Sequence, residues 1–167
     1  VRTPLILASA LLGSLGLLAL AGPGGSARSG PSRSEVDTIA DMLDDFHDAA
    51  AKADERRYFA HFAEGAVFLG TDPTERWTVE EFRAWAARYF QGESAWVYHA
   101  VERHVRVADG GEVGWFDEVV RNEKYGDLRG TGVVLREGGA WKLAQYNLTF
   151  LIPNDDASAV LEIIRHD

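Results

Sequence analysis

From residue 96 to residue 150 the sequence alternates with a period of two, and that alternation most limits the fold. Strands are expected at 96–107, 112–121, 128–136 and 141–150. Asp109-Gly110-Gly111 and Glu137-Gly138-Gly139 have the composition of tight hairpin turns, and Lys124 to Asp127 makes a third connection. Four consecutive strands with short turns give an antiparallel meander, closed by Pro153. A short terminal helix is expected from Ala159 to Ile164.

The segment before the meander reads as helices. Ile39, Leu43, Phe46 and Ala50 recur at helical spacing, with Asp41, Asp44, Asp45 and Asp48 on the other faces. A second, short helix carries Tyr58, Phe59 and Phe62 and is expected to stop at Gly65. Val67-Phe68-Leu69 is a short strand candidate, followed by a loop from Gly70 to Trp77. Thr78 and Glu81 form a capping box, with Trp77 and Phe82 placed as a hydrophobic staple, so a third helix starts there and ends before Gly92. Helices followed by a meander indicate an α+β fold with three N-terminal helices on one face of a curved antiparallel sheet. A cavity is expected between the two layers.

The first 34 residues are of another kind. Leu5 to Ala21 is an apolar run after Arg2, and Ala19-Leu20-Ala21 supplies small residues for a cleavage site. This predicts a secretory signal peptide over 1–21, with an uncleaved membrane anchor as the alternative, a flexible linker over 22–34 and a domain over 35–167. A secreted or periplasmic location follows, with no membrane attachment after cleavage. The chain has 17 basic and 26 acidic side chains and a net charge of -9. Without Arg2, Arg28 and Arg33 the balance is 14 to 26, a net of -12. Such a charge argues against nucleic acid as a partner. There is no cysteine, which excludes disulfides, thiol catalysis and zinc–thiolate sites.

The candidate functional residues come from strand parity and the loop. On the strand over 112–121, Asp117 shares a face with Trp115 and Val119, and Glu118 shares one with Phe116 and Val120. One acid must therefore sit among apolar neighbours, where burial raises a carboxyl pKa toward that of a general acid or base. Asp117 is taken as the inward base, with Trp115 beside it. His47, at the edge of the first helix's apolar stripe, would complete an acid–base couple; the alternative is a half-buried histidine bonded to a carbonyl or an acid. Gln145 and Asn147 share parity with Trp141 and Leu143 and would orient a substrate from the last strand. The opposite face, with Ala144, Tyr146, Leu148 and Phe150, would then need cover from a dimer partner or the C-terminal segment. Asp72, Arg76 and Trp77 lie in the loop that would shape the cavity mouth. Arg76 would clamp a carboxylate or pair with Asp72 or Glu75. Asp44, His47 and Asp48 have a metal-compatible spacing but no second ligand set, so no metal is expected.

Five ordered strings carry a family resemblance: Phe46-His47-x-Ala49-Ala50, Gly70-Thr71-Asp72-x-x-Glu75-Arg76-Trp77, Trp115-Phe116-Asp117-Glu118, Arg129-Gly130-Thr131-Gly132, and Trp141-Lys142-Leu143-Ala144-Gln145-Tyr146-Asn147. Over roughly residues 36 to 155 the chain resembles the SnoaL-like branch of the nuclear transport factor 2-like superfamily. The resemblance implies a cone-shaped α+β roll, often a homodimer through the outer sheet face. It also implies a small-molecule cavity, used for ligand binding, for assembly, or for cofactor-free isomerase, cyclase or dehydratase chemistry. The isomerases it resembles need a phenol as oxyanion donor, for which Tyr58 and Tyr125 are the candidates.

Overall fold

The computed structural model describes residues 33–165. The expected signal peptide, and the linker up to residue 32, lie outside the described residues. Helix α1 spans Arg33–Ala51, α2 Glu55–Ala60, α3 Val79–Ala86 and α4 Ala157–Arg165. The strands are β1 Phe62–Leu69, β2 Arg76–Thr78, β3 His99–Val107, β4 Val113–Asn122, β5 Gly126–Glu137 and β6 Ala140–Phe150. They form one open, curved sheet in the order β2-β1-β6-β5-β4-β3. Only the β1–β6 pair is parallel. Among the described residues no helix is long and apolar enough to cross a membrane.

The α+β reading and the meander hold. So does the capping box, in which the Thr78 hydroxyl accepts from the Glu81 amide and Glu81 accepts from the Thr78 amide at 2.9 Å. Ile39, Leu43, Phe46 and Ala50 of α1 are all buried, against Phe116, Val120, Leu128, Val134 and Leu143 of the sheet. Each such large apolar side chain contributes about 1.5–3 kcal/mol when fully buried.

Two expectations are corrected. Gly65 does not stop the second helix. His61 caps α2, and Gly65, with φ +71°, lies inside β1 where its register against β6 shifts between Phe62 and Val67. The loop from Gly70 to Trp77 also contains the start of β2, whose Trp77 pairs with Phe68.

A second irregularity sits beside the first. Val133 pairs with Gln145 and Val134 with Leu143, so Ala144 is an extra residue in β6. This bulge reverses the alternation. Trp141 and Leu143 face the helices before it, and Tyr146 and Leu148 face them after it. The two adjacent bulges bend the sheet where it wraps the helices.

Candidate functional site

The inner surface holds two different regions, a buried polar knot and an open cleft. The knot centres on Glu118 of β4, whose side chain is fully buried. Its Oε1 accepts from His47 Nε2 at 2.8 Å and from the Tyr146 hydroxyl at 3.0 Å. Its Oε2 accepts from Arg103 Nε at 2.8 Å. Arg103, on β3, also donates to the Ala40 carbonyl at 2.9 Å and to Asp44 at 2.7 Å, which ties the edge strand to α1.

Glycines on β5 make room for this knot. Gly130 lies opposite Glu118 and Gly132 opposite Tyr146. A Cβ on Gly130 would fall 2.5 Å from the Tyr146 hydroxyl and 3.0 Å from Glu118. Tyr146 therefore reaches from β6 over β5 to an acid on β4 because no side chain stands between.

Burial alone would raise the Glu118 carboxyl. The hydrogen bonds and charges of His47 and Arg103 outweigh it and hold the group below its ordinary range. Tyr146 is pushed well above the usual phenol value, by burial first and then by the Glu118 charge. The result is an ionised carboxylate with three donors on it and a phenol that stays protonated. A base so engaged has little capacity to take a proton from a ligand.

The cleft opens next to the knot and measures about 360 Å³. Phe68 of β1, Trp77 of β2 and Phe82 and Trp85 of α3 form one wall. Tyr89, Trp96 and Tyr98 form another; Leu128, Leu148 and Phe150 come from the sheet and Tyr125 from the turn between β4 and β5. The rings pack on one another: Phe68 on Phe82 at 3.9 Å, Trp77 on Trp85 at 4.9 Å and Trp85 on Tyr89 at 5.0 Å. Trp85, Tyr89, Tyr125 and Phe150 remain between 36% and 48% exposed, so the rim presents aromatic surface to solvent. Thr71 and Glu75 line the cleft from the loop before β2. The Phe68 ring stacks on Tyr146 at 5.8 Å and Tyr98 lies 6.4 Å from the His47 ring, so one layer of rings separates cleft and knot.

Several candidate residues lie elsewhere than expected. Asp117 and Trp115 face outward, opposite Thr131 and Val133, and Trp115 is 49% exposed. The inner acid is Glu118. Both parities of β4 are apolar, so alternation alone does not choose between the two faces. Gln145 and Asn147 are also outward, because the Ala144 bulge reverses the parity carried forward from Leu143. Asn147 donates to Thr149 at 3.2 Å. By the same reversal Tyr146 and Leu148 are core residues rather than a surface needing a partner.

Tyr58 is in the core, stacked on Phe46 at 4.4 Å, and burial raises its phenol well above the ordinary value. Asp72 and Arg76 are exposed; Asp72 accepts from the Thr74 amide at 2.8 Å. Trp77 and Tyr125 line the cleft. His47 is buried with an acid, as one reading had it, and that acid is Glu118. Arg103 escaped the sequence reading altogether. The Gly130–Gly132 pair was the available signal for the knot, since it marks where large side chains from flanking strands meet.

The family model of the SnoaL-like domain matches residues 39–153. Curated proteins give no match to the chain. Solved structures resemble it at low identity. A nuclear transport factor 2-like protein of unknown function from Pseudomonas putida is 16% identical with a TM-score of 0.63, over 76% of this chain and 93% of that one. A domain of unknown function with a cystatin-like fold from Nostoc punctiforme is 15% identical with a TM-score of 0.65, over 79% of this chain and 86% of that one. A provisionally assigned dehydratase from Streptomyces avermitilis is 14% identical with a TM-score of 0.59, over 72% and 98%.

Proposed function

The chain belongs to the SnoaL-like domain family, and we propose that within this fold it binds a small, flat, largely apolar molecule in the ring-walled cleft. One observation carries the reading: tryptophans and tyrosines from five segments (β2, α3, the turn at Tyr89, residues 96–98 and the β4–β5 turn) converge on a cleft of about 360 Å³, and Trp85, Tyr89 and Tyr125 stay partly exposed at its rim. Exposed rings of that number are costly unless something covers them, and a flat molecule fits between them by stacking. No chemical step is assigned. The buried acid–base group beside the cleft, Glu118, has its oxygens engaged by His47, Tyr146 and Arg103.

The test is a thermal-shift screen with steroids, polyketide-like aromatics and 2-naphthol, followed by calorimetry on wild type and Trp85→Ala. A ligand that binds only the folded protein raises the melting temperature, and the stabilisation grows with the logarithm of its concentration over Kd. The expected result is a shift with 2-naphthol or one of the larger aromatics that Trp85→Ala abolishes. No shift with any of them removes the binding reading.

Two further parts of the proposal have separate supports. The outer sheet face carries Trp115, Val113, Val119 and Val133 in partly exposed positions, which suits a second copy of the chain. Sedimentation of wild type should show a dimer, and Trp115→Arg a monomer. Export rests on the sequence of residues 1–21; a mature product should begin near Gly22, and an intact N-terminus on a membrane fraction would end that part.

A further inference from the structure

Among the described residues Glu75 is the only carboxylate lining the cleft, and no Lys, Arg or His side chain lines it. Its position is fixed locally. The Asp72 amide donates to Glu75 Oε2 at 3.2 Å, and the Gly70 amide donates to the Glu75 carbonyl at 2.8 Å. The carboxylate lies over Gly70, in space that a Cβ there would occupy. The loop thus puts a negative group in the lining of a cleft that Trp77, Trp85, Trp96 and three tyrosines also line.

Ring faces carry negative potential, and tryptophan's is the strongest of the three aromatic side chains. The protein's own cations already use the rim. Arg88 lies over Tyr89 at 4.8 Å and over Trp85 at 5.4 Å, and Lys124 lies over Tyr125 at 4.6 Å. Both side chains are exposed and neither lines the cleft. An apolar neutral ligand without a hydrogen-bond donor would strip water from Glu75 and give nothing back, and an anionic ligand would also be repelled by it. A cationic ligand would replace that water with an opposite charge. The excess of acidic side chains over the whole chain, a net of -9, favours the approach of the same ligands.

We infer that the cleft selects an organic ammonium ion with an apolar body, a quaternary or protonated tertiary amine, with Glu75 as counter-charge and the tryptophans as its cage. The inference rests on the binding reading above and narrows it.

The experiment compares three probes of one shape on the full chain: phenyltrimethylammonium, the uncharged tert-butylbenzene and the anionic benzenesulfonate. Binding is read by quenching of tryptophan fluorescence at low ionic strength. Phenyltrimethylammonium should bind at least about tenfold more tightly than tert-butylbenzene, with benzenesulfonate weakest. Glu75→Gln should reduce the cation's advantage about fivefold while leaving the tert-butylbenzene affinity within about twofold. Equal or tighter binding of tert-butylbenzene overturns the charge selectivity and leaves apolar binding standing. An unchanged cation preference in Glu75→Gln overturns the role of Glu75. If no probe quenches while 2-naphthol still binds, the ammonium inference falls alone; if 2-naphthol also fails, both readings fall.

Discussion

The knot around Glu118 and the cleft beside it share a wall of rings, yet they treat a carboxylate in opposite ways. Glu118 is buried and receives donors from α1, β3 and β6. Glu75 sits on a loop, half-buried, with one amide on its carboxylate, and lines the same cleft as the aromatic side chains. Charge that the protein has already neutralised is structural, because removing a partner leaves a desolvated ion. Charge that the protein has positioned beside open apolar surface is available to something else. On the proposed reading, cohesion belongs to the knot and recognition to the cleft, with one layer of rings between them.

The strongest way to break that contrast is Glu118→Gln. It leaves Arg103 partly buried without its main counter-charge and should cost about 3 kcal/mol, at the lower end for a broken buried pair because Asp44 remains. Urea denaturation measures it. An unchanged midpoint would make the knot dispensable and the contrast wrong.

Gly130→Ala attacks the same region through space rather than charge. Its methyl would meet the Tyr146 hydroxyl and Glu118, so a loss of about 1–3 kcal/mol is expected from overpacking. Combined with Glu118→Gln the losses should be less than additive, since both disrupt one set of contacts. Strict additivity would mean that the glycine serves the backbone and not the knot.

The pH profile sharpens the comparison further. Glu118 is held below its ordinary value near 4.5, so its contribution is complete above that pH and is lost as pH falls through the lower folded value. Tyr58 and Tyr146 are held above their ordinary value of 10, so stability is complete below that and falls as pH rises beyond it. Denaturation midpoints across pH should therefore drop at both ends. Glu118→Gln should flatten the acid limb, and Tyr146→Phe should weaken the alkaline one.

The smallest effect on stability is expected from the cleft itself. Trp85→Ala removes a ring that is 36% exposed and should cost only about 1 kcal/mol, while abolishing ligand binding. A loss of several kcal/mol would show the cleft wall to be core, and would blur the two regions into one.

Much of this fold was legible because it follows from local rules. The α1 stripe, the Thr78–Glu81 box and the alternating strands each satisfy a periodicity or a hydrogen-bonding need within a few residues. The candidate site was far less legible. Its expected catalytic pair of His47 and Asp117 kept the histidine inside and put the acid outside. The faces assigned to Gln145 and Asn147 failed at one residue, Ala144. A bulge leaves no mark in composition, since it is a relation between two strands.

The sequence by itself determined where α3 begins, which stretches alternate, that no cysteine is available, and the acidic balance of the chain. Those properties depend on neighbours three or four positions away, or on none. Only the tertiary structure decided which face of β4 turns inward, that Tyr146 crosses over Gly130 to Glu118, and that Glu75 joins tryptophans from β2, α3 and the segment before β3. Each of these depends on register between strands and on the curvature that the bulges introduce. A shift of one residue in either would send the same side chains to the opposite face.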